Sequence, residues 1–382
     1  MKKICIVTTV PGTLKAFFLK TAIYLCENGW DVTLISSNSN DFITELDKRI
    51  RFKAIQMKRG ISLKGIIATF EMYKYFKKEN FDIVQYSTPN AGLYASLASK
   101  LAGIKCRIYH IMGFRYLGFK GIKKQIFKAI DTFACKCSTN VECISKTNYE
   151  LGIKDGIFSK EKTKIIWNGS TGGVDLNRFD ITNKKIWREQ VREELAISKE
   201  EFVFGFIGRI TRDKGIDELI ESFKNIKDCK LLIIGDNELF NDSELEHKFQ
   251  EFYQKENVLV LKRQKNIEKY YATIDMLILP SYREGFGMVV AEAAALGVPS
   301  IVSRIPGPLD VIVENKTAIV VEPKNISSLK NKIEWCLNNR DVVKNMEQSC
   351  VDYISNTYDS TVLVKKILEQ KNYLYMKYHR EE

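Results

Sequence analysis

The sequence predicts an α/β protein of two doubly wound domains, each built on a parallel sheet. Short apolar runs with the length of buried strands alternate along the chain with longer amphipathic segments of helical periodicity. The 382 residues suffice for two domains of ordinary size, each with its own core. The alternation is interrupted at 168–173, Asn-Gly-Ser-Thr-Gly-Gly, which predicts a flexible break between the domains.

The first domain is predicted over residues 1–172. Its strands are expected at Ile4–Thr8, Asp31–Ser36, Asp82–Tyr86, Arg107–Met112 and Lys164–Trp167, and its helices at Phe17–Glu27, Ile66–Lys78 and Ala91–Leu101. Strands separated by helices of this length pair in parallel, with the helices covering the faces of the sheet.

The second domain is predicted over residues 173–359. Its strands are expected at Phe202–Gly208, Lys230–Gly235, Leu259–Lys262, Met276–Pro280 and Ser300–Ser303, with helices that include Asp217–Phe223 and Met288–Leu296. A helix is expected over about 360–382. Two such domains bind ligands in the cleft that faces the carboxyl ends of both sets of strands. The loops that follow strands are therefore the places to search for functional residues.

Composition and charge exclude some classes of protein. A hydrophobic share of 45% with 28% charged residues is typical of a soluble globular protein, and no apolar run reaches the roughly 18 residues that span a bilayer. Residues 1–170 carry 28 Lys and Arg against 13 Asp and Glu, whereas 171–382 carry 31 against 34. The basic half predicts a polyanionic partner, either an acidic membrane surface or nucleic acid.

Cysteine and histidine spacing predicts no metal site. The nine cysteines have no zinc-binding spacing, and the three histidines, His110, His247 and His379, are far apart. No Asp-x-Asp occurs in the sequence. The start Met1-Lys2-Lys3 leads directly into a strand rather than a signal peptide, so reduced, mostly buried cysteines in a cytoplasmic protein are expected.

The most informative stretch runs from Ser281 to Glu292, Ser-Tyr-Arg-Glu-Gly-Phe-Gly-Met-Val-Val-Ala-Glu. A strand, a glycine-containing loop and a helix N-terminus form an anion site, because unpaired amide groups point outwards there. Glu284 and Glu292 add carboxylates, which accept hydrogen bonds from sugar hydroxyls. The pattern predicts a site for a phosphorylated, polyhydroxylated ligand. The alternative is a helix cap with acidic residues in its first turns.

A second glycine-containing loop, Gly208–Gly215, follows the first strand of the second domain. Arg209 and Lys214 are placed to clamp a diphosphate from two sides. The order of residues is not that of a P-loop. A solvated basic turn is the alternative.

These motifs resemble those of family 4 glycosyltransferases with the GT-B fold, in which a Glu-x7-Glu pair stands in a Pro-Ser-x-x-Glu-Gly-Phe-Gly context. The Gly-x-Pro turn at Gly297 and the loop Ile305-Pro306-Gly307 match as well. The loop Val10–Leu14 and the segment 109–116 resemble the CapM-like subgroup that makes capsule and lipid-linked glycans. The resemblance implies a retaining hexosyl- or N-acetylhexosaminyltransferase. Its substrates would be a nucleotide sugar, UDP-linked, and a lipid-linked or glycan acceptor, and it would need no metal or other cofactor.

The resemblance also implies roles for single residues. Glu284 would hold donor-sugar hydroxyls as a catalytic residue, Glu292 the ribose hydroxyls, and Arg209 with Lys214 the diphosphate, while the backbone near Arg263 would border the base. The remaining donor-binding residues that it implies are Gly12, Gly285, Phe286, Gly287, Met288 and Val289.

One family feature is displaced. Many members have a histidine directly before a Gly-Phe pair, where this chain has Met112, and His110 lies two residues earlier. Residues two positions apart in a strand share a face and lie about 7 Å apart along it. His110 is therefore either catalytic from one layer deeper or a buried residue that holds its strand in place. The length of the offset favours the structural role.

A basic amphipathic segment lies between Arg115 and Lys136. Its apolar residues are Phe119, Ile122, Ile126, Phe127, Ile130 and Phe133, among Arg115, Lys120, Lys123, Lys124 and Lys128. It predicts peripheral binding to the inner face of the cytoplasmic membrane, with an ordinary packed helix as the alternative.

Two other functions would explain part of the sequence. A GT-B sugar-nucleotide epimerase would need acid and base side chains that the sequence does not place. A nucleic-acid-binding protein would explain the basic half but not the paired glutamates, so nucleic acid is not expected as a partner.

Overall fold

The computed structural model describes residues 1–38, 40–57, 63–240 and 242–379. It divides into two compact units: unit 1 is Met1–Gly173 with the chain from Ser360, and unit 2 is Val174–Asp359. The part of the predicted terminal helix at 380–382 lies outside the described residues.

Unit 1 is built on a parallel sheet that has seven strands within the described residues. They are β1 (Lys2–Val7), β2 (Trp30–Ser36), β3 (Arg51–Ala54), β4 (Ile83–Ser87), β5 (Cys106–Ile111), β6 (Asn140–Cys143) and β7 (Thr163–Ile165), in the order β3-β2-β1-β4-β5-β6-β7. Both faces are buried: Ile4 and Ile6 belong to one core cluster, and Cys5 and Val7 belong to the other. This alternation is what a strand covered by helices on both sides requires.

Unit 1 has seven α-helices before residue 173 within the described residues, and the first begins closer to β1 than predicted. They are α1 (Pro11–Thr13), α2 (Leu19–Glu27), α3 (Asn40–Thr44), α4 (Leu63–Glu79), α5 (Pro89–Leu101), α6 (Gly121–Cys137) and α7 (Lys146–Lys154), and a π-helical turn at Leu14–Phe18 joins α1 to α2. The predicted loop at Val10–Leu14 is therefore wrong. Pro11 occupies the start of α1, where its fixed φ suits a helix and its missing N–H costs no hydrogen bond.

Unit 2 is built on a second parallel sheet, with six strands among the described residues. They are β8 (Val203–Ile207), β9 (Lys230–Ile234), β10 (Val258–Leu261), β11 (Met276–Leu279), β12 (Ser300–Ser303) and β13 (Ala318–Val321), in the order β10-β9-β8-β11-β12-β13. The five predicted strands are present, and β13 was not predicted. The strand order reverses between β8 and β11, and ligands of such sheets bind beyond the carboxyl ends of the strands at this point.

Unit 2 has eight α-helices within the described residues, of which α8 is joined to the sheet by polar contacts. They are α8 (Lys184–Glu194), α9 (Ile216–Phe223), α10 (Ser243–Phe252), α11 (Ile267–Thr273), α12 (Met288–Ala295), α13 (Ile326–Asn338), α14 (Arg340–Asn345) and α15 (Glu347–Thr357). On α8, Arg188 and Arg192 both donate to the carboxylate of Asp275, at 2.5 and 2.9 Å. Asp275 also accepts from the Val203 amide at 2.8 Å, so one carboxylate connects α8, β8 and β11.

The segment before the junction of the units differs from its prediction. The strand predicted to reach Trp167 ends at Ile165, and Trp167 has a left-handed φ of 52° that no strand residue adopts. Residues 168–173 are not an open, flexible break. Ser170 and Thr171 are buried, and the Ser170 amide donates to the Ile144 carbonyl at 2.6 Å.

The last helix, α16 (Ser360–His379), packs on unit 1. Leu374 lies in the core cluster that contains Trp30, and the Tyr375 ring meets the Trp30 ring edge-on at 6.0 Å. The Asn140 amide donates to the Tyr378 hydroxyl at 3.1 Å. These contacts attach the end of the chain to strands from its first half.

The described residues contain neither a membrane-spanning helix nor a disulfide. In the part of the chain that the structure describes, no helix combines the length and apolarity needed to cross a membrane. All nine cysteines lie within it as free thiols, and eight are buried.

Candidate active site

Three backbone segments meet at the carboxyl edge of the unit 2 sheet: 208–215 after β8, 280–287 after β11 and 305–308 after β12. The Tyr282 amide donates to the Asp213 carbonyl at 2.9 Å, and the Arg283 guanidinium donates to the Asp213 carboxylate at 2.8 Å. The two motifs singled out from the sequence are therefore joined directly, and both lie at the point where the strand order reverses.

Two glycines permit this close approach. At Gly215, with φ +77°, a Cβ atom would lie 2.2 Å from the Pro280 carbonyl oxygen. At Gly307, with φ +97°, it would lie 2.9 Å from the carbonyl of Gly285. Real Cβ atoms do not approach backbone so closely, and a left-handed φ is strained for other residues. A side chain at either position would push the segments apart.

Glu284 and Lys214 form the centre of this site. The Lys214 Nζ lies 2.5 Å from Glu284 Oε1, and the Ser281 hydroxyl donates to the same oxygen at 2.8 Å. Both charged side chains are mostly shielded from solvent, with exposed fractions of 18% and 14%. A residue predicted to hold sugar hydroxyls is thus paired with one predicted to hold phosphate. This arrangement can bind a ligand that carries both groups side by side.

The N-terminus of α12 borders the same loop. Gly287 is its N-cap, with φ 94°, and the helix runs from Met288 for eight residues. The Phe286 side chain is buried and meets the Tyr358 ring edge-on at 5.0 Å. Phe286 can therefore offer its backbone to a ligand but not its ring. The helix dipole favours negative charge at this end.

Glu292 has a different environment from Glu284. The hydroxyl of the fully buried Tyr271 donates to Glu292 Oε2 at 2.9 Å. Burial raises the pKa of Glu292 to about 7, although the Tyr271 hydrogen bond and the charge of Arg178 both lower it in part. Glu292 is thus an oriented carboxyl group that is ready to gain or lose a proton near neutral pH.

The other predicted residues of unit 2 are less tightly held. Arg209 pairs with Glu238 at 2.8 Å, and both side chains are well exposed, at 48% and 38%. Arg263 follows β10 and is exposed. Arg209 and Lys214 contact different carboxylates, so a diphosphate clamp formed by the two stays a prediction.

In unit 1, Gly12 follows β1, and His110 lies near the end of β5. Gly12 lies exposed in α1, and a Cβ there would meet no atom within 4 Å. His110, near the end of β5, is buried: its Nδ1 lies 3.2 Å from Glu142 Oε2 and its Nε2 lies 3.5 Å from the Thr171 hydroxyl. Both ring nitrogens therefore have partners within unit 1. Whether His110 is catalytic or structural stays a prediction.

Sequence reasoning missed several residues that support the site. Ser281 and Asp213 lie inside the quoted motifs, and their polar character was the signal available. Tyr271 had no signal, since it lies 21 residues before Glu292 on another helix. As for metals, the described ranges contain no group of three or more His, Cys, Asp or Glu residues arranged to hold an ion.

Comparison with known proteins identifies the family. The family described as "Glycosyl transferases group 1" matches residues 188–356, and "Glycosyl transferase 4-like" matches residues 3–145. The chain is 30% identical over 354 residues to the capsular polysaccharide biosynthesis glycosyltransferase CapM of Staphylococcus aureus, covering 91% of each chain. The chain belongs to this glycosyltransferase family. The predicted family and enzyme class are confirmed.

Two further comparisons concern a relative and the fold. The chain is 30% identical over 349 residues, 88% of each chain, to the Escherichia coli UDP-Gal:alpha-D-GlcNAc-diphosphoundecaprenol alpha-1,3-galactosyltransferase. It also resembles HepE of Anabaena in complex with UDP-glucose, with a TM-score of 0.79 at 18% identity over 97% of this chain and 100% of that one. The GT-B fold class is confirmed.

The titration of Glu292 predicts a pH dependence of donor binding. If Glu292 holds ribose hydroxyls, as the sequence predicts, they would donate to its ionised carboxylate, and binding would displace the proton that Glu292 carries below a pKa of about 7. Affinity for an intact UDP-sugar should be constant above this pH and should fall about tenfold per pH unit well below it. Calorimetric titration across this range checks the slope. Glu292→Gln should flatten it, and an unchanged slope in that variant would contradict the assignment.

Proposed function

We propose that this glycosyltransferase moves a sugar from a UDP-sugar to a lipid-linked acceptor during assembly of a capsule or related polysaccharide, with retention of configuration. The Escherichia coli relative is named for a UDP-linked donor and a diphosphoundecaprenol-linked acceptor, and CapM is named for capsule synthesis. The similar HepE structure contains UDP-glucose. These names support the nucleotide and the class of acceptor proposed here.

The observation that carries the proposal is the Lys214–Glu284–Ser281 cluster beside the N-terminus of α12. A sugar phosphate carries hydroxyls next to a charged group, and this cluster places an acceptor of hydroxyl hydrogens next to a cation. Glu292 lies on α12, about one turn after the helix begins at Met288, where it suits the ribose hydroxyls. The order Glu284, α12 N-terminus and Glu292 along the chain thus matches the order of sugar, diphosphate and ribose in a nucleotide sugar.

The proposed reaction needs no protein nucleophile. The bond between the anomeric carbon and the phosphate oxygen breaks, and the diphosphate leaves with the electron pair. The acceptor hydroxyl attacks from the face that the diphosphate vacates, and a phosphate oxygen takes its proton. Lys214, Arg209 and the α12 N-terminus would stabilise the leaving charge, and Glu284 would hold the sugar while its carbon becomes electron-poor.

A donor screen tests this function most directly. Purified protein without acceptor should slowly hydrolyse one or a few UDP-sugars, and the released UDP can be measured. Sugars linked to other nucleosides should be hydrolysed more slowly. Absence of binding and hydrolysis for every UDP-sugar would refute the proposed donor.

The two glutamates should fail in different ways. Glu284→Ala should lower kcat strongly, because this residue acts on the reacting sugar. Glu292→Ala should chiefly weaken UDP binding, by about 1–3 kcal/mol for a lost charged hydrogen bond. Steady-state kinetics and UDP titration separate the two effects, with the exposed Glu244 changed to Ala as the control. Equal losses of UDP affinity in both variants would refute these roles.

We also propose that catalysis is independent of metal, because the sequence has no Asp-x-Asp and two cations are placed to meet the diphosphate. Activity should survive an excess of EDTA. Lys214→Ala should lose activity and should not recover it when magnesium is added. A wild-type enzyme that stops in EDTA and recovers with a divalent ion would show the proposal to be wrong.

Helix α6 of unit 1 carries the surface through which we propose membrane binding. On α6, Ile122, Ile126 and Phe133 are exposed at 80%, 45% and 39%, on one face of the helix and among lysines. Phe119 and Phe127 do not share this exposure. Their rings stack at 4.8 Å, and the Arg115 guanidinium lies 4.4 Å from the centre of the Phe127 ring.

A second helix of unit 1 also exposes apolar side chains beside a lysine. On α4, Ile66, Ile67 and Phe70 are exposed at 66%, 58% and 54%, and the Lys74 ammonium lies 4.4 Å from the centre of the Phe70 ring. Exposed apolar side chains within a basic field suit an anionic lipid surface, where each nearby cation contributes about 1 kcal/mol. We propose that α4 and α6 both contact the inner face of the cytoplasmic membrane.

Vesicle sedimentation tests this surface. The protein should bind vesicles with anionic lipid at low salt and should not bind neutral ones. Joint substitution of Lys120, Lys123 and Lys124 by Ser should weaken binding, as should Ile122→Ser with Ile126→Ser. Phe240→Ser, at an exposed site in unit 2, is the matched control. If these substitutions leave binding to anionic vesicles unchanged, the proposal is wrong.

A further inference from the structure

Three ionisable side chains form a buried cluster in unit 1. The Lys371 ammonium donates to Glu142 Oε1 at 2.6 Å, and His110 Nδ1 lies 3.2 Å from Glu142 Oε2. The exposed fractions of the His110, Glu142 and Lys371 side chains are 7%, 3% and 2%. They come from β5, β6 and α16, and none of the roles proposed above uses Glu142 or Lys371. Charged groups are rarely buried this deeply unless paired.

The surroundings limit what else can exchange a proton with this cluster. The cavity beside it is lined by Phe18, Gln85, Thr171 and other residues, and its titratable groups among the described residues are His110, Glu142, Lys371 and Cys143. Burial raises the pKa of the Cys143 thiol, which keeps the thiol neutral. The Phe18 ring meets the imidazole edge-on at 5.5 Å.

Charge balance then assigns the hydrogens. Burial alone would raise the pKa of Glu142, but the charge of Lys371 and the hydrogen bond from His110 outweigh it and lower the pKa to about 2, so the carboxylate is ionised. One carboxylate and one ammonium already cancel, and a second buried cation would leave the cluster with an uncompensated charge. The imidazole is therefore neutral. Its hydrogen lies on Nδ1, because the facing Glu142 oxygen can only accept.

The other ring nitrogen faces the segment that leads out of unit 1. With hydrogen on Nδ1, Nε2 is an acceptor, and the Thr171 hydroxyl lies 3.5 Å away as a donor. Thr171 is buried and stands two residues before the end of this part of unit 1 at Gly173. Lys371 lies on α16, which begins where the chain re-enters unit 1.

We propose that Lys371 is a positioning residue that acts through Glu142 to hold His110 as the neutral Nδ1–H tautomer. His110 in this form in turn orders Thr171 and the connecting segment 168–173. One hydrogen-bonded cluster thus connects the segment 168–173 to α16 within unit 1. The geometry stands without the proposed function, and only the activity measurements below depend on it.

Histidine ring nitrogens report the tautomer directly by NMR. The protein has three histidines, so labelling them with nitrogen-15 gives a spectrum that His247→Gln and His379→Gln assign. In the wild type at neutral pH, His110 should show a protonated Nδ1 and an unprotonated Nε2. In Lys371→Met the unpaired carboxylate should draw a second proton onto the ring, and the titration midpoint of His110 should rise. Lys366→Met, on the exposed side of α16, should leave the signal unchanged.

A double variant separates this role from a merely structural one. Lys371→Met should lower Tm, and Glu142→Gln with Lys371→Met should recover much of the loss, because no charge is left unpaired. The amide that replaces the carboxylate can either accept from Nδ1 or donate to it, so the double variant should show a mixture of the two tautomers rather than the single Nδ1–H form. In activity measurements, Lys371→Met and Thr171→Val should both lower kcat without changing UDP affinity.

Two results would overturn the proposal. One is a wild-type His110 that is doubly protonated or carries its hydrogen on Nε2. The other is a Lys371→Met protein that loses stability while the His110 tautomer and titration stay as in the wild type. If instead the enzyme fails to use any UDP-sugar while the spectra behave as expected, the proposed donor is wrong and the positioning role stands.

Discussion

The candidate site depends on how closely three backbone segments approach at the carboxyl edge of the second sheet. Parallel strands bring their following loops to one edge, but only positions without a Cβ, such as Gly215 beside the Pro280 carbonyl, allow those loops to touch. Lys214 and Glu284 come from separate loops and still lie in hydrogen-bond contact. Their geometry is thus fixed by the backbone. Side chains held in this way can stabilise developing charge without first having to be ordered.

The two cations near this edge differ in what they would lose if a diphosphate bound, as proposed. Arg209 is paired with Glu238 in solvent, and such a pair contributes about 0–1 kcal/mol, so it can be exchanged for a phosphate with little cost. Lys214 is sheltered and shared with Glu284, so removing it would leave a carboxylate poorly solvated. The acids differ in the same sense: Lys214 pairs with Glu284, while burial leaves Glu292 with a pKa of about 7. Glu284 in the loop and Glu292 on α12 are thus suited to different groups of a ligand.

Sequence patterns predicted the central strands well because those strands are continuous apolar runs. They missed β6, whose residues Asn140–Cys143 include the buried Glu142 and so do not look like a core strand. The loop at Val10–Leu14 was wrong because a proline can begin a helix as readily as it can break one. Within the site, Glu284 and Lys214 were predicted because each stands in a glycine-containing loop after a strand and matches a family motif. Tyr271 was not, since a buried tyrosine in a helix has the same pattern as an ordinary core residue.

Glu142 shows why part of unit 1 could not be derived from local sequence. A carboxylate at the centre of a buried sheet is tolerated only with a compensating charge, and its partner Lys371 lies 229 residues later. Neither position has a local feature that indicates the other, because each by itself looks like an exposed charged residue. Once paired, they restrict each other: α16 cannot shift along the sheet without leaving a charge buried and unpaired. The apolar contacts of Leu374 and Tyr375 stabilise the docked helix but are not directional. The ion pair requires one register, and His110 lies 3.2 Å from the same carboxylate.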